Sequence, residues 1–148
     1  MSQSVLYHEH GVSVYRYQST FYKNGKTFVR IYLPREEYRC SCCGSDHIWV
    51  KETIIREFRS VPVGSREIII VASIPKFYCH ECKAIRQASI PFARPKKHYT
   101  KRFERYVLSL LRGATVQFVA DLLGVSWVTI RDIEKEYLGK HFANPSLK

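Results

Sequence analysis

Two cysteine pairs constrain this chain more than any other feature. The first stands in Cys40-Ser41-Cys42-Cys43-Gly44 and the second in Cys79-His80-Glu81-Cys82. Two residues between cysteines let both sulfurs point into one small concavity, and two such turns supply the four-thiolate tetrahedron that zinc prefers. Gly44 suits the tight backbone behind such a turn. The pairs are separated by 35 residues. That exceeds the usual ~15–20 and leaves room for a two-stranded hairpin, so the expectation is an enlarged zinc ribbon. Its ligands are Cys40, Cys43, Cys79 and Cys82, with Cys42 as a spare thiol. His47 and His80 lie near enough in sequence to replace a sulfur, but four cysteines already complete the shell. A segment of about 45 residues buries too little surface to fold unaided, and structural zinc contributes roughly 10–16 kcal/mol of apparent binding energy in peptides. The metal is therefore expected to be structural. An iron-thiolate electron carrier is the rival use of the same cysteines.

The chain has 148 residues, enough for one domain or two small ones, and a formal net charge of +11. Charge of that size speaks to partners more than to fold. Nucleic acid is the leading partner and an anionic membrane the second. No apolar run of about 18 residues is present to span a bilayer, and Met1 to His10 lack the basic start and apolar core of a signal peptide. The expected location is the cytoplasm, associated with the nucleoid, where thiols stay reduced and favour metal over disulfides.

Read in order, Val5 to Leu33 is expected to be β structure, an N-terminal antiparallel region over 1–39. Val12 to Tyr17 is rich in β-branched and aromatic residues, and Asn24-Gly25 between Phe21 and Phe28 is a hairpin turn signal. Pro34 ends the strand. His47 to Phe58 is a second extended run, Val61 to Ser65 a turn, and Ile68 to Ala72 a strand buried on both faces, closed by Pro75. The ribbon is assigned to 40–83. A basic linker follows over 84–100, with Pro91 and Pro95 marking it as extended. From Lys83 to Arg112 there are nine cations against the single carboxylate of Glu104. Arg94, Lys96, Lys97, Lys101 and Arg102 are the candidate phosphate contacts in that run.

Residues 101–148 are expected to form a three-helix unit. Thr100 caps the first helix, whose apolar stripe is Phe103, Tyr106, Val107, Leu110 and Leu111, and Gly113 stops it. Thr115 caps the second, with Val116, Val119, Ala120 and Leu123 inward. Gly124 turns the chain, and Ser126 caps the third, with Ile130, Ile133 and Tyr137 inward. The small Ala120, the turn glycine and the two isoleucines fit a helix-turn-helix, whose second helix enters the major groove. At 100° per residue, the face opposite Ile130 carries Val128, Arg131, Asp132 and Lys135, with Trp127 at its edge. Arg131 can grip guanine, Asp132 can accept from cytosine and Val128 can meet a thymine methyl. Lys135 is better placed for phosphate. The fold class is α+β: an N-terminal antiparallel β region with an enlarged zinc ribbon, then a C-terminal helix-turn-helix unit.

The order of parts, two cysteine pairs, a basic aromatic connector and Ala120-Asp-Leu-Leu-Gly-Val-Ser-Trp-Val-Thr-Ile130, resembles the N-terminal region of insertion-sequence transposases of the ISL-three family. The resemblance covers about Arg39 to Lys148. It implies that Cys40, Cys43, Cys79 and Cys82 belong to the finger, and Ala120, Gly124, Val125, Ser126 and Ile130 to the helix-turn-helix. It further implies double-stranded DNA at transposon ends as partner, terminal inverted repeats as target, and homodimerisation through transposase assembly. In such proteins a ribonuclease H-like domain with three metal-binding acids follows and performs strand transfer. Ser41-Cys42 departs from the proline and polar residue common there. This chain ends about where that domain would begin, so the expectation is binding without catalysis. A stand-alone helix-turn-helix repressor is the alternative.

Overall fold

A computed structural model describes residues 2–142. Its backbone forms two compact units, Met1–Phe103 and Glu104–Lys148. The class is mixed α+β, with a five-stranded sheet in the first unit.

The N-terminus departs from the expected strand. Helix α1, Gln3–His10, occupies the start of the segment read as β. Its signals are a cap at each end rather than an apolar run. The Ser2 side chain accepts from the Val5 N–H, and Gly11 at φ 68° closes the helix in the left-handed region. Leu6 and His10, four residues apart, are the pair it buries. Val14 is also left-handed, at φ 72°, so strand β1 begins only at Arg16 and runs Arg16–Lys23. The Asn24-Gly25 hairpin is as expected: both residues have positive φ, 53° and 74°, and β2 follows as Lys26–Tyr32.

Strand β3, Ile48–Val63, and strand β4, Arg66–Cys79, form one long antiparallel hairpin. The turn is shorter than the sequence suggested, because β3 runs to Val63 and the chain reverses at Gly64-Ser65. Pro75 does not close β4, which continues to Cys79. The sheet is also not purely antiparallel. Along one edge of β4, Ile68–Ser73 pair in parallel with β2, while Lys76–Cys79 pair antiparallel with β5, Ala84–Gln87. Pro75 sits where that edge changes partner, and its carbonyl accepts from the Ala88 N–H at 2.9 Å. A strand residue aims its N–H and C=O to the same side, so the donor proline lacks is missing at the junction rather than within a ladder.

Central β4 buries Ile68, Ile70, Ala72, Ile74 and Phe77 against Val29, Ile31 and Phe58. Residues after β5 join this core: Ala88, Phe92 and Ala93 are buried with it.

Helix α2 spans Lys101–Leu111, α3 Val116–Leu123 and α4 Trp127–Phe142. The expected caps are present. Thr100 Oγ1 accepts from Phe103 N, Thr115 Oγ1 from Phe118 N and Ser126 Oγ from Thr129 N, at 3.1, 3.1 and 3.2 Å. Gly124 at φ 65° ends α3, and α3 packs on α4 through buried Val119, Ala120, Leu123, Ile130 and Ile133. Tyr137, expected inward, is 40% exposed. Its ring packs at a tilt against His141 one turn later. No helix among the described residues is long and apolar enough to cross a membrane.

Candidate functional site

The β3–β4 hairpin brings the cysteines together. Ile48 pairs with Cys79 at its open end, so the first pair, just before β3, meets the second, at the end of β4. The sulfurs of Cys40, Cys43, Cys79 and Cys82 all lie within 4.8 Å of one another. Cys40 Sγ is 3.8 Å from Cys82 Sγ, and Cys43 Sγ is 3.5 Å from Cys79 Sγ. A tetrahedron of metal–sulfur bonds near 2.3 Å has edges of about 3.8 Å, so two of the separations are already close to that edge and the donor set fits a tetrahedral ion.

Backbone donors line the cluster. Cys42 N–H points at Cys40 Sγ and Cys82 N–H at Cys79 Sγ, each at 3.4 Å. Such bonds favour the thiolate. Those from Cys43 and Cys42 hold the Cys40 thiol down at about 6. The close sulfurs, Cys43 foremost, push Cys82 up to about 12. Cys43 is raised as well: the N–H of Ser45 and the Cys82 thiol lower it, but desolvation together with the Cys79 and Cys40 sulfurs outweighs them. Four thiolates this close repel one another unless a cation sits among them, and opposed shifts are the signature of that conflict.

The remaining sulfur and the two histidines stand apart. Cys42 is exposed and contributes its N–H rather than its thiol. His80 packs edge-on against His47, Trp49 and Tyr78, with ring centroids 5.0–6.2 Å apart, and neither histidine is among the cluster's donors. Sequence reading missed two residues. Lys83 follows the second pair in the left-handed conformation, φ 53°. Arg86 on β5 lies beside the cysteines: the charge of Cys42, then the hydrogen bond to Cys82, raise its guanidinium pKa, with Cys40 adding to them. The spacing offered a hint for Lys83, since it stands after its pair as Gly44 does after the first. Arg86 was read only as one cation of the basic segment, because β5 was assigned to the linker.

The residues expected to read DNA are on the surface of α4. Trp127 is 43% and Val128 50% exposed, and Arg131 and Lys135 are exposed. The Arg131 guanidinium lies 5.1 Å over the Trp127 ring, and its Nη2 is 3.4 Å from Asp132 Oδ1. Arg94, Lys96, Lys97, Lys101 and Arg102 are in the first unit. Arg102 turns toward the N-terminus, where a Cβ on Gly11 would meet its side chain at 2.8 Å. The Lys97 carbonyl accepts from Arg56 Nη2 at 3.2 Å.

Comparison with known proteins agrees with this anatomy. Residues 36–82 match the zinc-finger of transposase IS204/IS1001/IS1096/IS1165. Residues 88–138 match the helix-turn-helix domain of transposase family ISL3. The chain carries the zinc-ribbon and helix-turn-helix modules of ISL3-family transposases. The transposase for insertion sequence element IS1001 of Bordetella parapertussis is 24% identical over 106 residues, 72% of this chain and 26% of that protein. The chain thus spans about a quarter of the length of this relative. No solved structure matches. In ISL3 terms the cysteine cluster falls within one matched module and α3 with most of α4 within the other, whereas β5 lies between the two matches. These are the DNA-binding parts of a transposase, not its catalytic part.

Proposed function

We propose that this chain binds the terminal inverted repeats of an insertion sequence, with a structural zinc at the four cysteines and α4 as the base-reading helix. Helices α2, α3 and α4 act as a three-helix helix-turn-helix unit. Trp127, Val128, Arg131 and Asp132 meet base edges, and Lys135 meets phosphate. Strand transfer belongs to a DDE-type domain outside these residues, and homodimerisation and nucleoid association accompany the assembled transposase. The observation that carries the reading is the exposed row on the N-terminal half of α4, in a helix seated on α3 by buried Ile130 and Ile133. Helix-turn-helix proteins offer that half of the second helix to the major groove.

Zinc is the metal this donor set favours: four thiolates at tetrahedral separations, two of them on buried cysteines, with no position left for substrate. The ion would fix the two turns and leave chemistry to other parts of the transposase.

The test is a titration of a labelled duplex carrying the element's terminal repeat against a scrambled duplex, at several salt concentrations. Preference for the repeat supports the proposal. Equal affinity for both duplexes removes sequence recognition, and affinity that ignores salt removes phosphate contact.

A further inference from the structure

The segment carrying Arg94 and Lys96 is held against the first unit at several points. Phe92, Ala93, Tyr99 and Thr100 are buried. Arg59 N donates to His98 O at 2.8 Å, Thr100 N to Arg59 O at 2.9 Å and Lys101 N to Phe92 O at 2.9 Å. Between these anchors the chain reverses at Arg94-Pro95-Lys96-Lys97, closed by Lys97 N donating to Arg94 O at 3.2 Å. Proline second and a left-handed residue third make this a type II turn. The third place belongs by preference to glycine, yet Lys96 fills it at φ 63°. Arg56, from the middle of β3, reaches the same turn through its bond to the Lys97 carbonyl.

Beside the turn runs an open groove of about 920 Å³. Among the described residues its lining includes Arg56, Arg94, Lys96, His98 and Lys101, and no carboxylate. Walls of one sign focus the potential in a cleft, and Lys96 places a further exposed cation there at the cost of backbone strain. Strain kept where no packing requires it points to function.

We propose that this groove on the first unit holds the sugar-phosphate backbone of duplex DNA, a second contact that reads no bases and lies on the sheet unit rather than on α4. The inference rests on the DNA-binding reading above and adds Arg56 and a rigid site to what was, in sequence, a charged linker. A single phosphate occupies a small part of such a groove, and a duplex presents a charge every ~1.7 Å along its axis, so a continuous strand is the ligand that matches a row of cations.

The experiment uses the full chain, zinc-loaded, with repeat and scrambled duplexes across a salt series. Lys96→Gly and Lys101→Gln each weaken both duplexes by the same factor and leave their affinity ratio unchanged. Each makes the dependence of log affinity on log salt shallower by about 0.9. Lys96→Gly does so without lowering the melting temperature, because glycine is at ease in that turn, so loss of fold does not account for the loss of binding. Unchanged salt slopes in both variants overturn the proposal. So does a loss confined to the repeat, which would make these residues base readers, or a loss seen only on vesicles of anionic lipid. Failure of the function proposed above is read separately: wild-type protein then shows no preference for the repeat, while the change in slope still reports on the groove.

Discussion

Gly44 and Lys83 occupy the same place in two halves of one site. Each is the first residue after a cysteine pair, and each is left-handed, at φ 73° and 53°. Glycine takes that conformation freely, whereas a residue with a Cβ pays about 1–2 kcal/mol. Part of that gain is lost to the wider freedom of glycine in the unfolded chain, about 0.5–1 kcal/mol. Lys83→Gly should therefore stabilise the zinc-loaded protein by about 0.5–1 kcal/mol, and Gly44→Val should destabilise it. Urea melts of both variants check this. A lower midpoint for Lys83→Gly would mean that its side chain makes a contact worth more than the strain.

Removing the metal should loosen the cysteine turns without dissolving the sheet. The ribbon is not an isolated piece of about 45 residues, because β4 is central in a sheet whose core includes Val29, Ile31, Phe58 and Phe92. The sequence argument for metal-dependent folding considered the hairpin alone. A ligand at a thousandfold excess over its Kd contributes about 4 kcal/mol, which is ~15 °C or more in Tm for a unit near 100 residues. Chelation should lower Tm by that order while the far-ultraviolet β signal survives at 25 °C, as circular dichroism would show. Complete loss of the β signal on chelation would mean that the apolar core cannot stand alone.

Metal affinity should fall with pH in two regimes. Binding requires four thiolates and releases whatever protons they hold. At pH 7 the Cys40 thiol, held at about 6, has already lost its proton, whereas Cys43 and Cys82, both raised, still carry theirs. At least two protons are therefore released at neutral pH, and apparent log affinity drops by at least about two per pH unit on acidification. Below about pH 6, Cys40 takes up a proton too, and the slope steepens by one. Competition against a coloured chelator from pH 5 to pH 8 measures both slopes, and a flat profile would refute the assignment of protons.

What the sequence disclosed follows from how local each signal is. The cysteine spacing, the Asn24-Gly25 turn, and the Thr100, Thr115 and Ser126 caps act within a few residues, and all lie where they were read. The features that were missed depend on distant partners. Helix α1 lacks a clear apolar stripe, having only Leu6 and His10 inward, so neighbouring β-rich sequence masked it. β5 has four residues and exists because β4 leaves an edge open beyond Pro75. The groove needs Arg56 and Lys96 together, 40 residues apart in the chain. In the candidate site, the clustering of the four cysteines was therefore legible and their surroundings were not.

On α4 the stacking of Arg131 on Trp127 and its contact with Asp132 have opposite consequences for binding. The ring holds the guanidinium in place, while the carboxylate both competes for it and repels phosphate. Arg131→Ala should cost about 1–3 kcal/mol at one base position and little elsewhere. Asp132→Asn should strengthen binding to scrambled DNA and narrow the preference for the repeat. Substituting each base pair of the repeat in turn, with each variant, provides the map. Equal losses at every position would remove α4 from base reading.

The last expectation concerns the buried end of α1. His10 is 1% exposed, its Nδ1 lies 2.6 Å from Ser60 Oγ, and its Nε2 has no hydrogen-bond partner among the described residues. Burial lowers its pKa, and nearby Glu9 only partly opposes this. Above the ordinary histidine value near 6.5 the ring is neutral in both folded and unfolded chains, and it adds no pH dependence. As pH falls through that value the unfolded chain takes up a proton that the folded chain refuses, so stability declines until the lowered folded pKa is passed. His10→Leu leaves Ser60 without its partner and should cost about 1–3 kcal/mol at pH 8. It should also remove this histidine's share of the acid decline, so the stability difference between wild type and variant shrinks as pH drops. Urea melts of both proteins at matched pH values measure that difference. A gap that stays constant from pH 8 to pH 5 would show that His10 does not take part in the decline.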